Sequence, residues 1–134
     1  MMLYLPDTNV WIRELNNIHS AVQNRFRAIH RDDIALCDVV KAELYFGAFN
    51  SSRVQQNLAT LAKAFGAFQC LPFNSEAARV YGKLRADLTR KGTPIGPLDL
   101  QIASIALLNG CILVTHNTRE FSRIVGLQIE DWEA

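Results

Sequence analysis

Asp7, Glu43 and Asp99 are acidic side chains set in apolar segments far apart in the chain: "YLPDTNVWI", "CDVVKAELYFGAF" and "IGPLDLQIASIALLNG". Each has an ordinary structural explanation. Asp7-Thr8-Asn9 is good helix-starting sequence, because such side chains accept the backbone N–H bonds that a helix N-terminus leaves open. Glu43 would be neutral in effect if paired with a buried Arg. Asp99 follows Pro97 by two residues, in a first turn where the helix dipole favours negative charge. The helical wheel argues for more. Glu43 falls between Val39 and Val40, with Lys41 opposite and Gly47 one turn on, and Asp99 falls between Ala103 and Ala106. Both carboxylates point to the packed side, where a lone charge is costly. Three such acids brought together repel and cannot all stay ionised without a cation among them. An all-oxygen cluster favours a hard divalent ion, Mg²⁺ or Mn²⁺, over zinc or copper. Such sites hydrolyse phosphodiesters, activating and orienting water and stabilising the leaving oxygen, often with two metals about 4 Å apart.

For the acids to meet, the elements carrying them must share an edge. Short apolar runs near 2–6, 34–37, 69–71, 111–115 and 127–129 read as strands. Among these, "CILVT" has the continuous apolar character of a strand buried on both faces. Helices fit near 9–16, 19–30, 39–49, 53–66, 75–91 and 97–109, with a short one near 118–124. In the segment 75–91, Ala77, Val80, Tyr81, Leu84 and Leu88 line one face and Gly92 ends it. Strand alternating with helix predicts an α/β fold: a parallel sheet of about five strands with helices on both faces. Strand C-termini and helix N-termini then share one edge, and ligands bind in the crevice along it. Asp7 lies there, as do Thr115 and Asn117, and Asn117 with Glu120 has the spacing of a capping box. Helix 53–66 has an apolar face that reads as plain core, ahead of a dimer contact or a seat for a partner protein.

The 134 residues are most simply one domain, 1–134, with 49% hydrophobic and 20% charged residues, a globular composition. No apolar run approaches a bilayer span and no signal segment opens the chain, which predicts a cytoplasmic protein. Cys37, Cys70 and Cys111 show no C-x-x-C pairing and read as buried, reduced thiols. His19, His30 and His116 are not at zinc-ligand spacing with them. The net charge of +1 does not advertise nucleic acid, although ten of the fourteen cations are Arg, whose planar fork suits phosphate. Arg79, Lys83, Arg85, Arg90 and Lys91, beside the "KGTPIGP" loop, are candidates for phosphate contacts or a solvated basic face.

The ordered set of "DTN" after the first strand, Glu43-Leu44 with Gly47-Ala48, Pro97 with Asp99, and "VTHNTREF" resembles PIN-domain ribonucleases. Over its whole length, through "GLQIEDW", the chain is most similar to VapC toxins of bacterial toxin–antitoxin pairs. The resemblance implies a Mg²⁺- or Mn²⁺-dependent endoribonuclease, usually homodimeric and held inactive by a VapB-type antitoxin. It favours tRNA as substrate, cut in the anticodon stem-loop. Asp7, Glu43 and Asp99 match the family's acidic metal site. Asn117 stands where many members have a further Asp, so Glu120 is the candidate to supply that charge. Pro6 replaces a usual aliphatic residue and removes a ladder donor, which predicts a locally altered sheet. In this reading Asp7 and Asp99 bind metal, and Glu43 is a ligand or orients water. Thr8, Thr115 and Asn117 hydrogen-bond around them. A phosphoacceptor receiver domain is a poorer match, since "PDTN" and "QCLPFNS" lack its acidic pair and acceptor Asp. A catalytically silent module would instead pair its acids with Arg.

Overall fold

The structure, a computed structural model, describes residues 2–134. Strand β1 (Tyr4–Pro6) leads into α1 (Thr8–Leu15) and α2 (Ser20–Ala28), followed by a 3-10 turn at Arg31–Asp33. Strand β2 (Ala35–Cys37) is followed by α3 (Asp38–Phe49), α4 (Val54–Ala67) and β3 (Gln69–Leu71). The remainder is α5 (Ser75–Arg90), α6 (Pro97–Asn109), β4 (Ile112–Val114), α7 (Thr118–Phe121) and β5 (Gln128–Glu130). All strand pairs are parallel: β1 with β4, β4 with β5, and β2 with β3. One bridge, Tyr4 with Ile34, joins the two ladders into the order 3-2-1-4-5.

The thin join between β1 and β2 follows from Pro6. The Asp7 N–H donates to the Val114 carbonyl on β4 at 2.9 Å, so the nitrogen of the preceding residue faces β2. Proline has no hydrogen there, and the ladder to β2 lapses after Tyr4. The altered sheet expected at Pro6 is thus a break on the β2 side, while the β4 side stays in register through Pro6–Val114.

Strand order sets the functional edge. The chain builds β1, β2 and β3 outward in one direction, then returns to place β4 on the other side of β1. Between β1 and β4 the connections leave in opposite directions, which opens a crevice beyond the strand ends. Strands β2 and β4 are buried at every position, as strands covered on both faces are. Helix α6 supplies much of the cover and is itself deeply buried from Leu100 to Ala106, which explains its nearly all-apolar sequence. Gly110, at φ +66°, ends it in a left-handed cap that few other residues would accept. Among the described residues, no helix is long and apolar enough to cross a membrane.

One sequence expectation is qualified and another corrected. Helix α4 is core only at its inner stripe: Leu61 is buried, and Leu58 and Phe65 are partly buried against it. On the neighbouring α3, Phe46 and Phe49 are 69% and 64% exposed, so the α3–α4 pair carries apolar surface that the described residues leave bare. Of the cysteines, Cys37 and Cys111 are buried but Cys70 is only half-buried, on the exposed-edge strand β3, with Sγ 3.4 Å from an Asp38 carboxylate oxygen. All three are free thiols.

Candidate active site

Asp7 sits where β1 stops and α1 starts, and it is buried, 7% exposed. Its Oδ1 accepts the Val10 N–H at 3.0 Å, so the helix-cap explanation holds. The cap does not account for the burial or for the neighbours. Burial pushes the Asp7 carboxyl above the ordinary Asp value, and the charges of Glu133 and Glu43 push it further. Hydrogen bonds from the Thr115 hydroxyl and the Val10 N–H partly restrain the rise. Thr115 is fully buried at the end of β4, and its Oγ1 also accepts the Asn117 N–H at 3.0 Å.

Glu43 reaches the same edge from the second turn of α3, half-buried. Its Oε1 accepts the Thr8 hydroxyl at 2.7 Å, a contact across 35 residues that ties α3 to the start of α1. A Cβ placed on Gly47 would meet nothing within 4 Å, so the open space beside Glu43 expected from the sequence is present. Asp99 enters from the first turn of α6, with Ala103 and Ala106 buried along the same helix. Its carboxyl is pushed up to about 6, first by burial and then by the charges of Glu120, Asp7 and Glu43. Five separate segments therefore deliver Asp7, Glu43, Asp99, Thr115 and Glu120 to one electrostatic neighbourhood.

Asn117 and Glu120 do not form the reciprocal capping box their spacing suggests. The Asn117 side chain makes no cap bond to the backbone of α7. Its Nδ2 donates to Glu120 Oε2 at 2.9 Å instead, turning the carboxylate towards the other acids. The amide thereby positions a charge that it does not itself carry.

No Arg, Lys or His neutralises Asp7, Glu43, Asp99 or Glu120 through an ion pair among the described residues. A silent module holding its acids on guanidinium groups is not what the geometry presents. The donor set is all oxygen, half-desolvated and self-repelling, which fits a hard divalent cation. Among the described residues, no three of these acids are placed close enough together to hold a metal ion as they stand.

The basic residues singled out from the sequence divide into groups. Lys83 and Arg90 both pair with Asp87, at 3.3 and 3.2 Å. Arg85 donates to the Tyr81 hydroxyl at 3.3 Å and faces a hollow beside Pro97. Arg79, Lys83 and Lys91 line a different cavity together with Arg123, a residue the sequence pattern did not mark. Also unmarked was the ion pair of Arg13 with Glu133, 3.0 Å, which ties the C-terminal segment to α1, where the Glu133 charge acts on Asp7. Only its acidic composition, "IEDWE", hinted at it.

Comparison with known proteins identifies the family and the fold. A model of the PIN domain matches residues 4–127. The chain is 37% identical over 132 residues to the tRNA(fMet)-specific endonuclease VapC of Shigella flexneri, covering 98% of this chain and 99% of that protein. Its structure superposes on the DNA-bound VapBC of Salmonella typhimurium with a TM-score of 0.91 at 36% identity, covering 98% of this chain and 99% of that one. It superposes on VapBC2 of Rickettsia felis, bound to a promoter DNA fragment, with a TM-score of 0.89 at 33% identity and the same coverage. A strand edge with three unneutralised acids, on a chain alike in sequence and shape to these proteins from end to end, places it in the PIN-domain family, among the VapC ribonucleases.

Proposed function

We propose that the protein is a Mg²⁺- or Mn²⁺-dependent endoribonuclease toxin that cuts tRNA and is silenced by a VapB-type antitoxin. The observation that carries the reading is the convergence of Asp7, Glu43 and Asp99, from three distant segments, with no protein cation among them. A bound divalent ion stabilises charge on the phosphate and makes water a better nucleophile near neutral pH. Asp7 and Asp99 would hold the ion. Glu43 either joins them or orients the attacking water, and Thr8 sets where its carboxylate starts. Thr115 anchors Asp7, and Asn117 holds Glu120 at the rim to supply further negative charge. The water oxygen bonds to phosphorus, the 3′-oxygen leaves and takes up a proton, and the products carry a 5′-phosphate and a 3′-hydroxyl.

Transfer RNA is favoured because the Shigella flexneri relative is named for cutting it. An antitoxin partner is supported by the VapBC assemblies that the fold matches. It is also supported by an apolar hollow of about 260 Å³ beside Glu43, bounded by Ile12, Leu15, Leu44 and Leu61, with Phe46 and Phe49 exposed on the adjoining helix. Bare apolar surface of this kind marks a partner site. Homodimer formation and action in the cytoplasm complete the reading.

The test is cleavage of total tRNA with Mg²⁺ or Mn²⁺ by the parent and by Asp7→Asn, with sequencing of fragment 5′ ends. Asn retains the helix cap, so a lost fold is not the expected outcome. The reading requires defined cuts by the parent, stopped by chelator and by the substitution. Undiminished cleavage by Asp7→Asn contradicts it.

A further inference from the structure

A cavity of about 470 Å³ lies on α5, against the C-terminal end of α6 and the turn after α7. Its rim carries Arg79, Lys83, Lys91 and Arg123, and Val80, Leu84, Leu107 and Ile124 build an aliphatic wall. Asp87 is the one acid in the lining, and Lys83 and Arg90 already hold it. Four cations less one acid leave three positive charges in excess, in a chain whose net charge is +1. We infer that this cavity is a second contact site for RNA, gripping phosphates of the strand next to the segment being cut while sugar or base edges rest on the aliphatic wall. The inference rests on the ribonuclease reading above.

Three features favour a polyanion. Arg79, Lys91 and Arg123 have no acidic partner among the described residues, so their charges are free for a ligand. Arg79 and Lys83 stand four residues apart on α5 and Lys91 caps its end, with Asp87, already held by Lys83 and Arg90, between them. At about 1.5 Å per residue the three cations span roughly 18 Å. That suits several consecutive phosphates better than one small anion. The third feature is continuity with the acids. Glu120 on α7 acts on Asp99, and Arg123, three residues on, faces the cavity. The Arg123 guanidinium donates to the Pro94 carbonyl at 3.2 Å, which fixes it over the loop that leads into α6 and Asp99. A strand lying along α5 therefore runs towards the acidic edge. Phosphate contacts of this kind position a strand without reading its sequence.

The test is RNA binding in chelating buffer, where cleavage is suppressed, across a series of salt concentrations. It compares the parent, Arg79→Gln/Arg123→Gln, and a control that removes two exposed cations elsewhere, Arg31→Gln/Lys63→Gln. The cavity variant should bind tRNA roughly 10-fold or more weaker. For every phosphate of single-stranded RNA that the variant ceases to neutralise, the log–log salt slope should flatten by about 0.7, and the control should track the parent. Equal affinity and slope for the cavity variant and the parent overturns the inference. So does equal weakening by the control, which makes the effect one of overall charge. An unchanged RNA affinity together with loss of binding to an acidic partner peptide overturns it in favour of a protein ligand. Failure of the nuclease reading looks different: the parent then cuts no RNA with Mg²⁺ or Mn²⁺, whatever the cavity variant does to binding.

Discussion

The chain holds two concentrations of acid, and they are built on opposite plans. At the C-terminus each carboxylate side chain from Glu130 to Glu133 has a basic partner: Glu130 the Arg25 guanidinium at 2.6 Å, Glu133 the Arg13 guanidinium at 3.0 Å, and Asp131 a ring nitrogen of His116 at 3.1 Å. Trp132 is buried beneath them, with the Arg25 guanidinium over its ring. This cluster fastens a tail. At the strand edge, Asp7, Glu43, Asp99 and Glu120 have no ion-pair partner among the described residues, and the bonds to Asp7, Glu43 and Glu120 come from two hydroxyls, an amide and one backbone N–H. Hydrogen-bond donors fix where those carboxylates sit but do not discharge them. In the first arrangement the protein supplies a basic partner for each acid, and in the second it supplies none. Acids that stabilise and acids that act are told apart by what neutralises them.

The largest test of that contrast is chemical. Asp7→Asn should lower RNA cleavage by several kcal/mol of transition-state stabilisation, on the order of 10³-fold, and leave the melting temperature unchanged or raised. Glu130→Gln should leave cleavage near the parental rate.

Next comes the pH dependence of stability. Asp99 is held up at about 6 in the folded chain, from an ordinary 3.8. Between those values the folded state binds more protons than the unfolded one, so stability falls as pH rises through this window. In chelator the parent should melt higher at about pH 5 than at about pH 7, and Asp99→Asn should lose most of that slope. A slope of opposite sign would mean that Asp99 is neutralised after all. The same titration requires divalent-cation affinity to weaken below about pH 6.

Smaller effects belong to the paired cluster. The Glu133 carboxylate is only 7% exposed, so Glu133→Gln leaves a mostly covered Arg13 without its partner. That should cost about 1–2 kcal/mol in a denaturant titration. The Arg25–Glu130 pair is more open to water, and Glu130→Gln should cost under about 1 kcal/mol. Reversal of that order would show that exposure does not set what these pairs contribute.

Much of this was legible in the residues. The alternation of apolar runs and amphipathic segments located the five strands and the helices within a few positions, because burial imposes its period locally. The inward setting of Glu43 and Asp99 followed from the wheel for the same reason. What escaped the sequence depends on distant partners. Arg25 and Glu130 meet across 105 residues, and nothing local to either announces the other. Helix α4 turns its stripe to the core as its period suggests, but nothing in the period of α3 says that Phe46 and Phe49 are left bare. Asn117 and Glu120 have capping-box spacing, yet a nearby carboxylate cluster redirects the amide. Pro6 was readable as a missing donor, whereas the side of β1 that loses it depends on which strand lies there.

The most direct measurement of the central claim is the melting temperature of the parent and of Asp7→Asn with and without saturating Mn²⁺. An ion at about 100 times its dissociation constant adds about 2.7 kcal/mol to the folded state, which for a domain of this size is a rise of roughly 5–10 °C. The account predicts that rise in the parent and its loss in Asp7→Asn. A parent whose melting is indifferent to Mn²⁺, or a variant that responds just as strongly, would contradict it.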